Sequence, residues 1–243
     1  MKKALISVYY KDKIEEVAEQ LIQAGWEILS TGGTASHLRN HDIPVSDVSD
    51  VTNFPEILDG RVKTLHPLIF GSILAKNDPS HETQLKAHGI NRIDLVIVNF
   101  YPFEAAIQSK EKGVGFMIEN IDIGGPSMVR AAAKNHENTT VIVDQSDYLP
   151  VVSELVNGEI SLERRRELAQ KAFSYTSFYD SMISEYFLEI SDRKPDFYGI
   201  SGKKKMDLRY GENPHQAAGL YIHDADSPLN SYDQLNGKEL SFN

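Results

Sequence analysis

The chain predicts an α/β fold on a parallel sheet, followed by a helical region and a short tail, and three observations carry that expectation. Short apolar runs of strand length alternate with segments whose apolar residues recur at helical spacing. Glycine-bearing turns stand between runs and helices, and residues 93–98 form a nearly continuous apolar run suited to a strand covered on both faces. Strands alternating in this way with helical patterns imply βαβ units and hence parallel pairing.

Taken in order, residues 3–8 are the first strand. Polar Tyr9, Tyr10, Lys11, Asp12 and Lys13 follow, and Ile14, Val17, Ala18, Leu21 and Ile22 mark a helix that Gly25 closes. Residues 26–29 read as a second strand, and Ser30-Thr31-Gly32-Gly33-Thr34 leads into a helix carrying Ala35, Leu38 and Arg39. Residues 45–48 are a possible third strand, residues 53–58 a short helix, and residues 68–74 continue apolar. Residues 79–91 read as a surface helix before the central run at 93–98. That run ends in Asn99-Phe100-Tyr101-Pro102-Phe103, where proline stops the ladder. Residues 121–127 turn into a helix running towards Lys134-Asn135-His136, and residues 139–143 are a further strand. From 147 to about 190 the pattern is helical: Ser161 caps a long helix, and Leu168, Ala172, Tyr175, Tyr179, Met182, Ile183, Tyr186 and Phe187 form an apolar face read as packing. Pro195, two glycines and a lysine triplet, read as a solvated linker, suggest a boundary, so the expected organisation is a core at 1–146, a helical extension at 147–198, and a linker with a second segment at 199–243.

Composition narrows the function. A formal net charge of -10 argues against a nucleic-acid surface and for small-molecule partners. With no cysteine in the chain, disulfides, thiolate catalysis and Cys-ligated zinc are excluded. No apolar run approaches the roughly 20 residues that span a bilayer, so no membrane association and a cytoplasmic location are expected. His66, His136 and His215 lack a metal-ligand spacing such as His-x-x-x-His, and no metal site is expected.

The chemistry concentrates in Asp59-Gly60-Arg61-Val62-Lys63-Thr64-Leu65-His66-Pro67. In an extended segment Arg61 and Lys63 would share a face, Gly60 would allow close backbone approach, Thr64 would add a hydroxyl, and Pro67 would end the run. That inventory suits a phosphate monoester, though a solvated edge strand fits equally well. Ser30 to Thr34 resembles a glycine loop feeding a helix N-terminus, which favours an anion; a capped tight turn is the plainer explanation. Ser7 and Lys11 would lie at the same sheet edge if the strands are neighbours. Asp122 before Gly124-Gly125, with Lys134 two to three turns on, offers a carboxylate and an amine for proton transfer beside backbone donors; charges placed to suit the two helix ends explain them as well.

Five motifs in order carry a resemblance that covers most of the chain: Ser30-Thr31-Gly32-Gly33-Thr34, Gly60 to Pro67, Asn99 to Phe103, Ile121-Asp122-Ile123-Gly124-Gly125, and Arg130-Ala131-Ala132-Ala133-Lys134-Asn135-His136. Together they resemble the bifunctional AICAR transformylase/IMP cyclohydrolase family, with Lys171-Ala172-Phe173, Tyr179-Asp180 and the stretch Leu208 to Gln216 extending the likeness. The resemblance implies a methylglyoxal-synthase-like three-layer α/β sandwich that closes formyl-AICAR to IMP. In that reaction the carboxamide nitrogen attacks the formyl carbon and water is lost, without a cofactor. It further implies that Ser7, Lys11, Thr31, Gly32, Gly33, Thr34, Arg61, Lys63 and Thr64 bind ribose phosphate and ring edge. Asn99, Tyr101, Asp122 and Lys134 would surround the closing ring, with Gly124 and Gly125 N–H groups as oxyanion donors; Lys63, Tyr101, Asp122 and Lys134 are the expected catalytic set. A homodimer is implied for full-length members.

Two departures stand out. The family's usual Ser-Val-Ser-Asp-Lys is here Ser7-Val8-Tyr9-Tyr10-Lys11, which removes a hydroxyl and a carboxylate. The family's transformylase uses 10-formyltetrahydrofolate and a Lys-His pair beyond the residues present, so the second domain reads as truncated and formyltransferase activity is not expected; Arg209, Tyr210 and His215 match that site without their partners. A methylglyoxal synthase shares the sandwich and the glycine loop but does not explain residues 61–67 or 134–136. A nucleotide-sensing module, like the allosteric domain of carbamoyl-phosphate synthetase, would not need Tyr101, Asp122 and Lys134.

Overall fold

The computed structural model describes residues 1–108, 113–158, 160–191, 194–222 and 236–242. Its elements run β1 (Lys3–Ser7), α1 (Ile14–Gln23), β2 (Glu27–Ser30), α2 (Gly32–Asn40), β3 (Ser46–Asp47), α3 (Val48–Thr52), α4 (Pro67–Leu74), α5 (Pro79–Ala87), β4 (Leu95–Val98), α6 (Phe103–Gln108), α7 (Val114–Glu119), α8 (Gly124–Lys134), β5 (Thr140–Ile142), α9 (Tyr148–Asn157), α10 (Leu162–Glu189), β6 (Lys203–Leu208) and β7 (Ala218–Ile222). The chain divides into two compact units, Met1–Thr176 and Ser177–Asn243.

In the first unit the strands pair in the order β3-β2-β1-β4-β5, all in parallel. Side chains alternate across a strand, so Ala4, Ile6, Leu95, Ile97 and Ile142 join Ile14, Val17, Leu21, Leu38, Tyr148, Val151 and Leu155 in one core cluster, which places α1, α2 and α9 on one face. Helices α4 and α8 pack on each other, and α8 also packs on β4 and β5. The sheet is therefore the middle of three layers, an α/β sandwich as expected. All four residues of β4 are buried, in keeping with the continuous apolar run. Ser161 caps α10 through its hydroxyl, which accepts the Arg164 N–H at 3.1 Å, and Gly25 closes the α1 turn at φ 79°.

The structure corrects several expectations. The short helix expected at 53–58 lies earlier, at α3: Asn53 takes a left-handed conformation at its end, and Pro55 disfavours helix in the residue before it. The third strand shrinks to Ser46–Asp47. The basic stretch is not extended. A 3-10 turn at Leu58–Gly60, with Gly60 at φ 83°, throws residues 61–64 into turns. Pro67 does not end a strand but opens α4, at a position where its missing N–H costs nothing, and the His66 ring caps that helix by accepting from Leu68 N–H at 3.2 Å. Residues 68–74 are accordingly helical.

The second unit holds an antiparallel pair, β6 with β7. The lysine triplet 203–205, expected as linker, lies in β6 with all three residues exposed. Of the segment expected at 199–243, residues 223–235 and 243 lie outside the described residues. Among the described residues no helix is long and apolar enough to cross a membrane.

Candidate active site

The chain passes from β1 outward to β2 and from β4 outward to β5, so the connections diverge between β1 and β4. Ligands of open α/β sheets bind in the crevice beyond the strand ends at such a point. A cleft of about 580 Å³ opens there. Its walls include Ser7 at the end of β1 and Lys11 beyond it, Thr31, Gly33 and Thr34 at the start of α2, Asn99 and Tyr101 after β4, Arg61, Lys63 and Thr64 from the basic turn, and Asp122, Gly124 and Gly125 at the start of α8. Thirteen of the fifteen expected site residues thus meet, as do the three donor-rich loops.

The fourteenth, Gly32, opens α2 at φ 48°, and a Cβ placed on it would stand 3.0 Å from Lys63 Nζ. The Lys63 ammonium therefore sits against the first turn of α2. Both carry positive charge there, because the unsatisfied N–H groups of a first turn and the helix dipole point the same sign outward. Glu56, at 3.8 Å from Lys63 with its side chain about half exposed, offsets this only weakly. An anion in the cleft would do so directly.

Across the cleft Asp122 is half-buried, and its Oδ1 accepts the Gly125 N–H at 2.9 Å, capping α8. Burial pushes its carboxyl above the ordinary value, against the lowering pull of the Gly125, Tyr101 and Gly124 backbone N–H groups and the Lys63 charge. The glycines there are required by contact: a Cβ at Gly124 would meet Thr64 Oγ1 at 2.6 Å, and one at Gly125 would run into Asp122 and approach Phe100 Cδ1 to 3.1 Å. Gly125 N–H is thus already committed to Asp122, which removes it from the oxyanion donors expected of Gly124 and Gly125.

Two other expected ligands are spent on architecture. The Asn99 amide is buried; Oδ1 accepts from Tyr9 and Tyr10 N–H, while Nδ2 donates to Tyr10 O and to the Tyr148 hydroxyl, both at 3.1 Å. It fastens the β1 exit loop to the β4 exit. Thr34 Oγ1 donates to Val8 O at 2.9 Å and accepts Val8 N–H at 3.0 Å, tying α2 to β1. Arg61 lies on the rim, 60% exposed and paired with Glu119. Lys11 Nζ donates to Tyr9 O at 3.1 Å.

Lys134 is the residue the fold does not bring in. It is exposed at the last position of α8, and ten residues at a rise of 1.5 Å put it about 15 Å along the helix from the Asp122 end. The coupled Asp122–Lys134 pair is therefore not formed within one chain. Its neighbour Asn135 is structural, donating to Ile73 O at 2.7 Å and Ala75 O at 3.0 Å at the end of α4. Residue reading missed Tyr148 and Tyr175. Burial keeps both phenols neutral, pushing their pKa upward, and the Tyr175 hydroxyl accepts Phe100 N–H at 3.2 Å. Both lay in stretches legible only as helix packing. Tyr9, also on the cleft wall, was visible only as a departure from the family pattern; its ring meets Tyr101 edge-on at 5.7 Å.

Comparison with known proteins gives the same picture. A family model described as MGS-like domain matches residues 13–127, and one described as AICARFT/IMPCHase bienzyme matches residues 132–243. The bifunctional purine biosynthesis protein PurH of Anoxybacillus flavithermus (strain DSM 21510 / WK1) is 50% identical over 247 residues, covering 100% of this chain and 48% of its own. PurH of Bacillus subtilis (strain 168) is 45% identical over 248 residues with the same coverage, so the chain spans about half the length of these curated relatives. A solved structure titled "Crystal structure of ForH" aligns with a TM-score of 0.70 at 37% identity, over 76% of this chain and 98% of that one. A parallel α/β sandwich with an MGS-like match, followed four residues later by a match to the bienzyme and by PurH relatives that cover the whole chain, identifies the chain as a member of the AICAR transformylase/IMP cyclohydrolase family.

Proposed function

We propose that this chain is an IMP cyclohydrolase, closing formyl-AICAR to IMP with loss of water. The observation that carries the reading is the Lys63 ammonium set against the positive end of α2, facing a half-buried carboxylate across one cleft. The phosphate of the nucleotide goes to the first, and the reacting ring to the second. Residues holding the ribose phosphate are Thr31, Gly32, Gly33, Lys63 and Thr64, with Ser7 and Lys11 on the flank.

Ring closure forms a bond from the carboxamide nitrogen to the formyl carbon. The formyl oxygen becomes a hydroxyl, carrying one proton from that nitrogen, and leaves as water with a second proton from the formamide nitrogen. Every step is an addition or elimination within the substrate, so no cofactor is required. Asp122, whose affinity for a proton burial has raised, accepts from the carboxamide and returns the proton to the departing oxygen. Tyr101, 47% exposed at the cleft mouth, packs beside the ring. Holding the formamide folded over the carboxamide supplies the positional part of the barrier reduction. The PurH relatives and the bienzyme match support this reading.

The test is incubation of the protein with formyl-AICAR while the absorbance of IMP is followed. A parallel arm with dihydroxyacetone phosphate addresses the methylglyoxal-synthase alternative, which the MGS-like match favours. IMP formation without methylglyoxal supports the proposal; methylglyoxal alone, or nucleotide binding without turnover, replaces it.

A further inference from the structure

On the face of the sheet that carries α1 and α2, away from the cleft walls, Glu15 in the first turn of α1 meets His37 and His41 at the C-terminal end of α2. The two histidines have the i, i+4 spacing that stacks side chains on one helix face, and their rings lie 4.6 Å apart. One potential ligand atom from each of the three residues lies within 4.8 Å of the other two. His37 Nε2 is hydrogen-bonded to Glu15 Oε1, and His41 Nε2 stands 3.8 Å from the same oxygen.

The tautomer of His41 is fixed by its surroundings. Its Nδ1 lies 2.8 Å from His37 O, and a carbonyl oxygen can only accept, so Nδ1 carries the hydrogen. In the neutral ring the lone pair is then on Nε2, the atom that faces Glu15. A backbone carbonyl orienting the distal nitrogen is the usual outer support of a metal-bound imidazole. Two imidazoles and one carboxylate suit a divalent first-row ion, zinc foremost. Tetrahedral ligands at a zinc–nitrogen distance of about 2.0–2.1 Å stand roughly 3.3 Å apart, so side-chain rotations of about an ångström close the site. The C-terminal end of α2 favours a cation, and the carboxylate halves the ion's charge. The Glu15, His37 and His41 side chains are 28%, 25% and 49% exposed, which leaves room for a water as fourth ligand.

We propose that Glu15, His37 and His41 form a zinc site that clips α1 to α2, separate from the cleft. Binding replaces the His37–Glu15 hydrogen bond: the hydrogen of the neutral His37 ring moves from Nε2 to Nδ1, and the Nε2 lone pair turns to the metal. The clip would steady the two helices that follow β1 and β2, whose exit loops line the cleft.

The test uses the untagged chain of residues 1–243, stripped with a chelator and dialysed. Zinc is titrated against a chromophoric competitor, and cobalt(II) is used to read the ligand field. The expected result is one zinc per chain, a tetrahedral cobalt spectrum, and a Tm that rises with zinc. Affinity should fall at least about tenfold in His41→Ala and in Glu15→Gln, and further in the His37→Ala/His41→Ala double variant. His41 is half exposed, so its replacement leaves the fold intact, and circular dichroism of each variant verifies this. Absence of saturable uptake by the folded wild type overturns the proposal, as does zinc affinity that is unchanged in all three variants.

Discussion

Asp122 makes two separable contributions, and a pair of substitutions distinguishes them. As a cap it accepts the Gly125 N–H through Oδ1 at 2.9 Å. An asparagine carbonyl can accept the same bond, whereas alanine cannot. Loss of a cap costs about 0.5–2 kcal/mol, and one kcal/mol shifts Tm by about 2–4 °C in a folding unit of this size. Asp122→Ala should therefore lower Tm by roughly 1–8 °C, and Asp122→Asn should not.

The charge works in the opposite direction. Burial raises the carboxyl above 3.8, so the native state holds a proton more tightly than the unfolded chain. Stability falls as pH rises from 3.8 through the folded pKa, and the ionised carboxylate is a cost that remains at neutral pH. Asp122→Asn removes that slope and should be at least as stable as the parent at pH 7. Turnover of formyl-AICAR should nonetheless fall about 100- to 10,000-fold in Asp122→Asn, as expected when a general base is lost. A hundredfold loss is about 2.7 kcal/mol of barrier in a protein no less stable. The assays are Tm against pH and IMP formation on the same preparations. A folded Asp122→Asn variant that cyclises within about threefold of the parent would reduce Asp122 to a helix cap.

Lys63→Ala should weaken IMP binding by about 1–3 kcal/mol in a calorimetric titration, since a charged hydrogen bond is lost; Arg61→Ala should matter less, because Arg61 is exposed and already paired with Glu119, and equal affinity of Lys63→Ala and parent refutes the phosphate assignment. Gly124→Ala should cost about 1–3 kcal/mol by overpacking, and Thr64→Ala should recover part of it, because the Cβ would meet Thr64 Oγ1 at 2.6 Å; the absence of any recovery in denaturant unfolding contradicts the contact. The stability effects of Asp122→Asn and Lys134→Ala should add to within about 0.5 kcal/mol, as they do for residues well separated in space; a larger coupling means the two residues act together by a route outside the single chain.

The fold was legible where burial writes itself into residue type. The run at 93–98 could only be a strand covered on both faces, and β4 is buried throughout. Third-strand length was not legible, because two residues with a single paired edge carry no periodicity. The basic turn was misread because Gly60 at φ 83° permits a conformation that alternation rules do not anticipate. Site membership came through well, since thirteen of the expected residues line one cleft, but their employment did not. Asn99 and Thr34 are polar and have no partner legible in the neighbouring sequence. Their partners lie 90 and 26 residues away, and only the folded chain shows both side chains already occupied. His37 and His41 are the reverse case: their His-x-x-x-His spacing is legible in the sequence, whereas the carboxylate that joins them, Glu15, is brought close only by the packing of α1 on α2.

The helical extension is part of the site's support. The β4 exit loop carries Asn99, Phe100 and Tyr101, yet its anchors come from beyond β5: the Tyr148 hydroxyl of α9 on Asn99, and the Tyr175 hydroxyl of α10 on Phe100 N–H. The Phe100 ring stacks on Tyr175 with centroids 4.4 Å apart. The same ring would come within 3.1 Å of a Cβ on Gly125, whose N–H is held by Asp122. A line of close contacts therefore runs from α10 through Phe100 and Gly125 to the carboxylate proposed to move the proton. Packed interiors yield little to displacement, so a shift of α10 would reach Asp122 rather than dissipate. Phenols that burial holds neutral are suited to this duty, because they present a hydroxyl without placing a second charge beside Asp122. The apolar face of α10 that reads as simple packing in the sequence is, at Tyr175, packing with a directional hydrogen bond aimed at the active-site loop.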